Sequence, residues 1–124
     1  MTTTPAMDVV LVDDHDDTRE VAAEVLRLQG FEVRDFGSAE EALDAVLGRA
    51  PSAVITDLTL GGMSGEDLAR RLRASTDTGG VALVAMTGHT SARENLEKLW
   101  DAVLIKPVDP FELARQIREL VESR

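Results

Sequence analysis

The chain has 124 residues, 44% of them hydrophobic and 3% aromatic, with 13 basic against 23 acidic side chains for a net charge of −10. That is the length of one ordinary domain with an aliphatic core, and such a charge disfavours direct contact with nucleic acid or anionic membranes. The lack of cysteine excludes disulfides and thiolate metal sites, and no apolar run approaches the ~20 residues of a membrane span.

The N-terminus, Met1 to Met7, has no basic region and no long apolar stretch, so it is not a signal peptide. The expectation is a cytoplasmic protein with a disordered tail over 1–6 and one domain over 7–124. Val9 to Val12 is a compact β-branched run ended by acids. Residues 17–29 place Val21, Ala22, Val25, Leu26 and Leu28 at helical spacing, and Gly30 closes the segment. Phe31 to Phe36 reads as a second strand. Ser38 with Glu41 three residues on forms a capping box for a helix that ends near Gly48 and Pro51. Ala53 to Thr56 is a third strand, followed at once by Asp57. A loop with Gly61, Gly62 and Gly65 leads into a helix holding Leu68, Ala69 and Leu72. Val81 to Met86 is a fourth strand, a polar helix covers roughly 91–99, and Ala102 to Ile105 is a fifth strand. The last helix runs from about Pro110 to Val121, with Leu113, Ile117, Leu120 and Val121 on one face and Phe111 expected in the core. Five strands alternating with five helices predict an α/β, doubly wound parallel sheet with right-handed crossovers.

In such a sheet ligands bind beyond the carboxyl ends of the strands. Those ends carry Asp13 and Asp14, Asp57, Thr87 and Lys106. Three carboxylates in one cleft repel by roughly 4 kcal/mol per pair at ~4 Å and a surface-like dielectric. A cation removes that cost. The donors are all oxygen, which favours a hard ion, and Mg²⁺ suits a few carboxylates plus phosphate oxygens. A carboxylate beside Mg²⁺ can attack a phosphoryl group, with Lys106 and Thr87 meeting two of its oxygens. A lone aspartate after a strand is ordinarily a turn or cap residue. The weight lies in co-occurrence at four strand ends.

At these residues, over Met7 to Glu122, the chain resembles the receiver domain of two-component response regulators. Val-Leu-Val-Asp13-Asp14 looks like the family's acidic pair, and Ile-Thr-Asp57-Leu-Thr-Leu-Gly-Gly-Met-Ser-Gly65 like its phosphoacceptor strand and loop. Met-Thr87-Gly88 looks like the switch hydroxyl, and Leu-Ile-Lys106-Pro107 like the lysine motif. The resemblance implies a flavodoxin-like sheet of order 2-1-3-4-5 and a cis Lys106–Pro107 bond. It implies phosphorylation of Asp57 by a phosphohistidine on a sensor kinase or phosphotransfer protein. Mg²⁺ would be held by Asp14 directly, by Asp13 largely through water, by Asp57 and by the Thr59 backbone carbonyl. The protein would catalyse its own phosphorylation and dephosphorylation without being a turnover enzyme. Output would pass through the face of the 91–99 helix, the fifth strand and the last helix, to a partner or a second copy.

Three departures from the family pattern stand out. Val103 occupies the place of the switch aromatic, Gly61 stands where proline is usual, and the stretch from Thr87 to Lys106 is a few residues short. His89, two past Thr87, falls where the family tunes water access. His15 follows the acidic pair and reads as a solvent-facing loop residue or a metal ligand. Asp16 and Asp17 read as helix-start acids. Trp100 is expected to pack at the start of the fifth strand.

Two other readings compete. A degenerate receiver would act as a phosphorylation-independent interaction module; Val103 favours it, and the intact acidic pair, Asp57, Thr87 and Lys106 weigh against it. A small Mg²⁺-dependent phosphatase-type enzyme would usually carry a second acid two residues after its nucleophile, where Thr59 stands.

Overall fold

Val9, Val10, Leu11 and Val12 are all fully buried. A strand buried on both sides must lie inside a sheet with layers above and below. The computed structural model, which describes residues 7–88 and 99–123, has that arrangement. In chain order it contains β1 (Asp8–Val12), α1 (Asp16–Leu28), β2 (Glu32–Phe36), α2 (Ala39–Gly48), β3 (Ala53–Asp57), α3 (Gly65–Ala74), β4 (Ala82–Thr87), β5 (Ala102–Ile105) and α4 (Pro110–Glu122). The strands pair in parallel in the order β2-β1-β3-β4-β5, as expected. The tail at 1–6, the helix over roughly 91–99 and His89 lie outside the described residues, apart from Leu99 at that helix's expected end.

Alternation along the strands divides the core in two. Val9, Leu11, Ile55 and Val84 face α1 and α4, where they join Leu26, Leu113 and Ile117. Val10, Val12, Val54 and Leu83 face the other way, onto Val46 of α2 and Leu68 and Leu72 of α3. Trp100 packs against this second cluster. Local chemistry sets the helix ends. The Ser38 hydroxyl accepts from the Glu41 amide at 3.2 Å, the first half of the expected capping box. Gly30 takes the positive φ of 96° that lets the chain turn from α1 into β2.

Among the exposed apolar side chains on helices are Phe111 and Leu28. Phe111 is 58% exposed and Leu28 is 76% exposed. Phe111 precedes the buried Leu113 by two positions, and Leu28 follows the buried Leu26 by two. Two residues are about 200° of helix rotation, so each is carried to the outer side. The expectation that Phe111 belongs to the core is therefore corrected. In its first turn of α4, its amide is taken up instead by the Asp109 cap at 2.9 Å.

Arg73 joins three segments. Its guanidinium donates to the carbonyls of Gly79 and Val81, both at 2.8 Å, to the carbonyl of Leu99, and to Asp101 at 2.9 Å. Asp101 in turn accepts from the Leu83 amide at 2.7 Å. The end of α3 is thereby tied to the starts of β4 and β5. Replacing Arg73 with alanine leaves several partly buried acceptors without their donor. It is expected to lower unfolding stability by about 2–3 kcal/mol, the scale for bonds to a charged group. A urea titration should show a lower midpoint at an unchanged slope.

Candidate metal and phosphoacceptor site

The parallel register sets the strand ends level. Val12 pairs with Thr56, Asp57 with Met86, and Thr87 with Ile105. The residues that follow therefore emerge at one edge of the sheet.

At the end of β1, Asp13 is 2% exposed. Its carboxylate accepts from the His15 amide at 2.9 Å, while the Asp14 side chain is more open. Arg19, one turn into α1, donates to the Asp13 carbonyl at 2.8 Å and contacts Asp35 of β2 at 3.1 Å and Asp16 at 2.9 Å. Burial disfavours the Arg19 charge, but Asp35 and Asp16 outweigh it and hold the guanidinium above its ordinary pKa. The acidic loop is thus fastened to β2 by a cation that stays charged.

Asp57 closes β3 and is 5% exposed. Its Oδ2 lies 2.5 Å from Lys106 Nζ, and its Oδ1 accepts from the Thr59 amide at 3.3 Å. Lys106 Nζ is also 4.0 Å from Asp13 Oδ2. The lysine follows β5, where its amide donates to the Thr87 carbonyl at 2.8 Å. The Lys106–Pro107 bond is cis, as expected. Thr87, at the end of β4, is buried. Sheet register therefore assembles Asp13, Asp14, Asp57, Thr87 and Lys106 at one edge, and Thr59 meets Asp57 there through its amide.

One ligand atom each from Asp13, Asp14, His15 and Asp57 can be chosen so that all lie within 4.8 Å of one another. Three carboxylates at that spacing, two of them buried, repel strongly and are balanced in part by Lys106. The donors fit a hard divalent cation: oxygen ligands, a small enclosure, and an open side through Asp14 and His15. Beside this cluster a cavity of about 750 Å³ lies between α1 and the 106–110 segment. Val21, Val108 and Leu113 line it together with Asp13, His15 and Lys106. Val21, placed by its spacing on the first helix, is 58% exposed and lines this groove.

Two contributors escape a reading of the sequence. Arg19 looks like any helix-surface arginine, because its partner Asp35 belongs to another element. Gly65 looks like a loop glycine, yet a Cβ there would stand 2.3 Å from the Asp57 carbonyl oxygen.

Comparison with known proteins agrees with this geometry. The chain is 36% identical over 110 residues to the DNA-binding response regulator MtrA of Mycolicibacterium smegmatis, covering 89% of this chain and 48% of that one. It thus spans about half the length of that relative. A structure described as that of a response regulator from Chloroflexus aurantiacus superposes with a TM-score of 0.88 at 32% identity, covering 94% of this chain and 98% of the other. The response regulator TrrA of Thermotoga maritima, solved in complex with Mg²⁺-BeF, superposes with a TM-score of 0.83 at 25% identity, covering 92% and 98%. Residues 9–118 match the family described as the response regulator receiver domain. With five parallel strands in the order 2-1-3-4-5 and this match over most of its length, the chain belongs to the receiver domains of two-component response regulators.

Proposed function

We propose that Asp57 accepts a phosphoryl group from a phosphohistidine and that the modification switches a partner-binding face. Mg²⁺ would be held by Asp13, Asp14, Asp57 and the Thr59 backbone carbonyl. One observation carries the reading: the buried Asp57 stands in direct contact with Lys106 inside a cluster of acidic ligands. A carboxylate nucleophile needs no general base. An Asp57 oxygen forms the new P–O bond while the P–N bond to the donor imidazole breaks, and that electron pair leaves on the ring nitrogen. Lys106 meets the charge on one phosphoryl oxygen, and the Thr87 hydroxyl meets another. Bound Mg²⁺ would neutralise charge on the phosphoryl oxygens.

The protein on this reading catalyses its own phosphorylation and dephosphorylation, with no diffusible substrate turned over. The donor is a sensor histidine kinase or a phosphotransfer protein. Val103 pairs with Ala85 on β4 and is partly buried. With no aromatic there to swing, movement of Thr87 and of the backbone carries the signal. It passes to the face of β5 and α4, where a downstream partner or a second copy binds. DNA binding is a property named for the longer MtrA; a net charge of −10 argues against direct DNA contact by this chain. No helix among the described residues is long and apolar enough to cross a membrane, and the proposed setting is the cytoplasm.

The test is incubation with Mg²⁺ and acetyl phosphate or phosphoramidate, followed by intact mass. The expected result is one phosphoryl adduct on the wild-type chain and none on Asp57→Asn. No adduct on the wild type would leave an unphosphorylated interaction module. Rapid multiple turnover would point to a phosphatase-type enzyme.

A further inference from the structure

We infer that His15 adds a nitrogen donor to the acidic cluster, so that the site takes imidazole-binding divalent ions such as Ni²⁺ as well as Mg²⁺, with the ring also entering the shell of the oxygen-preferring Mn²⁺. The inference rests on the metal site proposed above and extends its ligand set.

His15 occupies the N-cap position of α1, where a polar side chain would ordinarily accept a bond from the first helical amides. Its side chain makes no such bond. The ring instead places Nδ1 3.3 Å from Asp13 Oδ1 and 3.2 Å from Asp14 Oδ1. An octahedral ion with bonds of about 2.1 Å has neighbouring ligand atoms about 3.0 Å apart, so these separations are nearly the edges of such a shell. Asp57 offers an oxygen within the same 4.8 Å cluster. The His15 amide bonded to Asp13 Oδ1 at 2.9 Å fixes the backbone that presents the ring. The side chain is 72% exposed, so ligation buries little and the ring can turn onto an incoming ion. Imidazole contributes little to a hard ion such as Mg²⁺ but strengthens binding along the series from Mn²⁺ to Ni²⁺. His15 should therefore change which ion is preferred rather than whether an ion binds.

The experiment uses tag-free protein, titrated calorimetrically with MgCl₂, MnCl₂ and NiCl₂ as wild type, His15→Ala and His15→Gln. The Mn²⁺ complexes are also examined for nitrogen coupling by pulsed electron paramagnetic resonance. Expected is a Mg²⁺-competable Mn²⁺ complex with a nitrogen coupling that His15→Ala and His15→Gln abolish. The only other histidine is His89, and His89→Ala should keep the coupling. Ni²⁺ affinity should fall about tenfold or more in both His15 variants, the scale for losing a metal-site partner, while Mg²⁺ affinity stays within about threefold. Equal Ni²⁺ affinities, or no nitrogen coupling in a Mg²⁺-competable Mn²⁺ complex, would overturn the inference and leave the Mg²⁺ site standing. A rise in Mg²⁺ affinity on removing His15 would also overturn it, by making the ring a counter-charge that the ion must displace. Failure of the wild type to bind Mg²⁺ would remove both readings.

Discussion

Lys106→Ala is expected to slow phosphorylation of Asp57 by acetyl phosphate by about 10²–10³-fold, the cost of removing one preorganised donor from a developing oxyanion. The reason is position. Lys106 Nζ lies 2.5 Å from Asp57 Oδ2, so a phosphoryl group on that carboxylate would carry its oxygens into the reach of the ammonium. The same variant should bind Mg²⁺ more tightly than wild type. Removing a cation from beside Asp57 and Asp13 leaves their mutual repulsion for the metal alone to relieve. Slower transfer with tighter Mg²⁺ is a combination that general unfolding would not produce. Lys106→Arg should not restore the rate, because a planar fork does not replace a compact point charge in a closed corner. Adduct formation followed by intact mass against time, with calorimetric Mg²⁺ titration, reads both effects. A Lys106→Ala chain phosphorylated at the wild-type rate would mean that the lysine does not meet the phosphoryl group.

Gly65→Ala is the second large effect. The added Cβ would lie 2.3 Å from the Asp57 carbonyl oxygen and 3.1 Å from both the Asp57 carbonyl carbon and Leu58 Cα. All three are backbone atoms, so no side chain can rotate away. The Gly65 amide also donates to the Leu58 carbonyl at 3.1 Å, which holds the start of α3 against the segment that carries the nucleophile. Overpacking of this kind costs about 1–3 kcal/mol. The clash pushes the start of α3 and the Asp57 backbone apart, and displacement of a reacting group by about 1 Å can cost 10²-fold in rate. The variant should therefore lose stability in urea and lose phosphorylation rate together. Gly61→Ala is the matched control. Nothing lies within 4 Å of a Cβ there, and its φ is not positive. It should be neutral or more stable by up to about 1 kcal/mol, through a less flexible unfolded chain. Equal behaviour of the two alanine variants would mean that the approach of α3 to Asp57 is unimportant.

Much of the architecture was legible in the residues. Uninterrupted apolar runs such as Val9 to Val12 are incompatible with a sheet wetted on one face, and their alternation with amphipathic helical stretches leaves few alternatives to a doubly wound sheet. Because parallel strands all end at the same edge, Asp13, Asp14, Asp57, Thr87 and Lys106 could be grouped from their places after each run. The capping role of Ser38 and the turn at Gly30 were legible for the same reason: the signals are local and span a few residues.

What stayed hidden depends on pairs far apart in the chain or on which way a side chain turns. The sequence places Phe111 in the core, but the rotation fixed by Leu113, Ala114 and Ile117 puts it outside. Nothing local sets Arg73 and Arg19 apart from other helix arginines, and only the approach of the end of α3 to Asp101 and the packing of α1 against β2 make them bridges. By itself, then, the sequence determined the sheet, its covering layers and the identity of the groups at its carboxyl edge, because strand and helix periodicities are local properties. Only the tertiary structure decided that Gly65 must lack a side chain, that Arg19 secures the acidic loop and that the His15 ring turns to the carboxylates. Each of these depends on a distance of a few ångströms between elements, which periodicity does not encode.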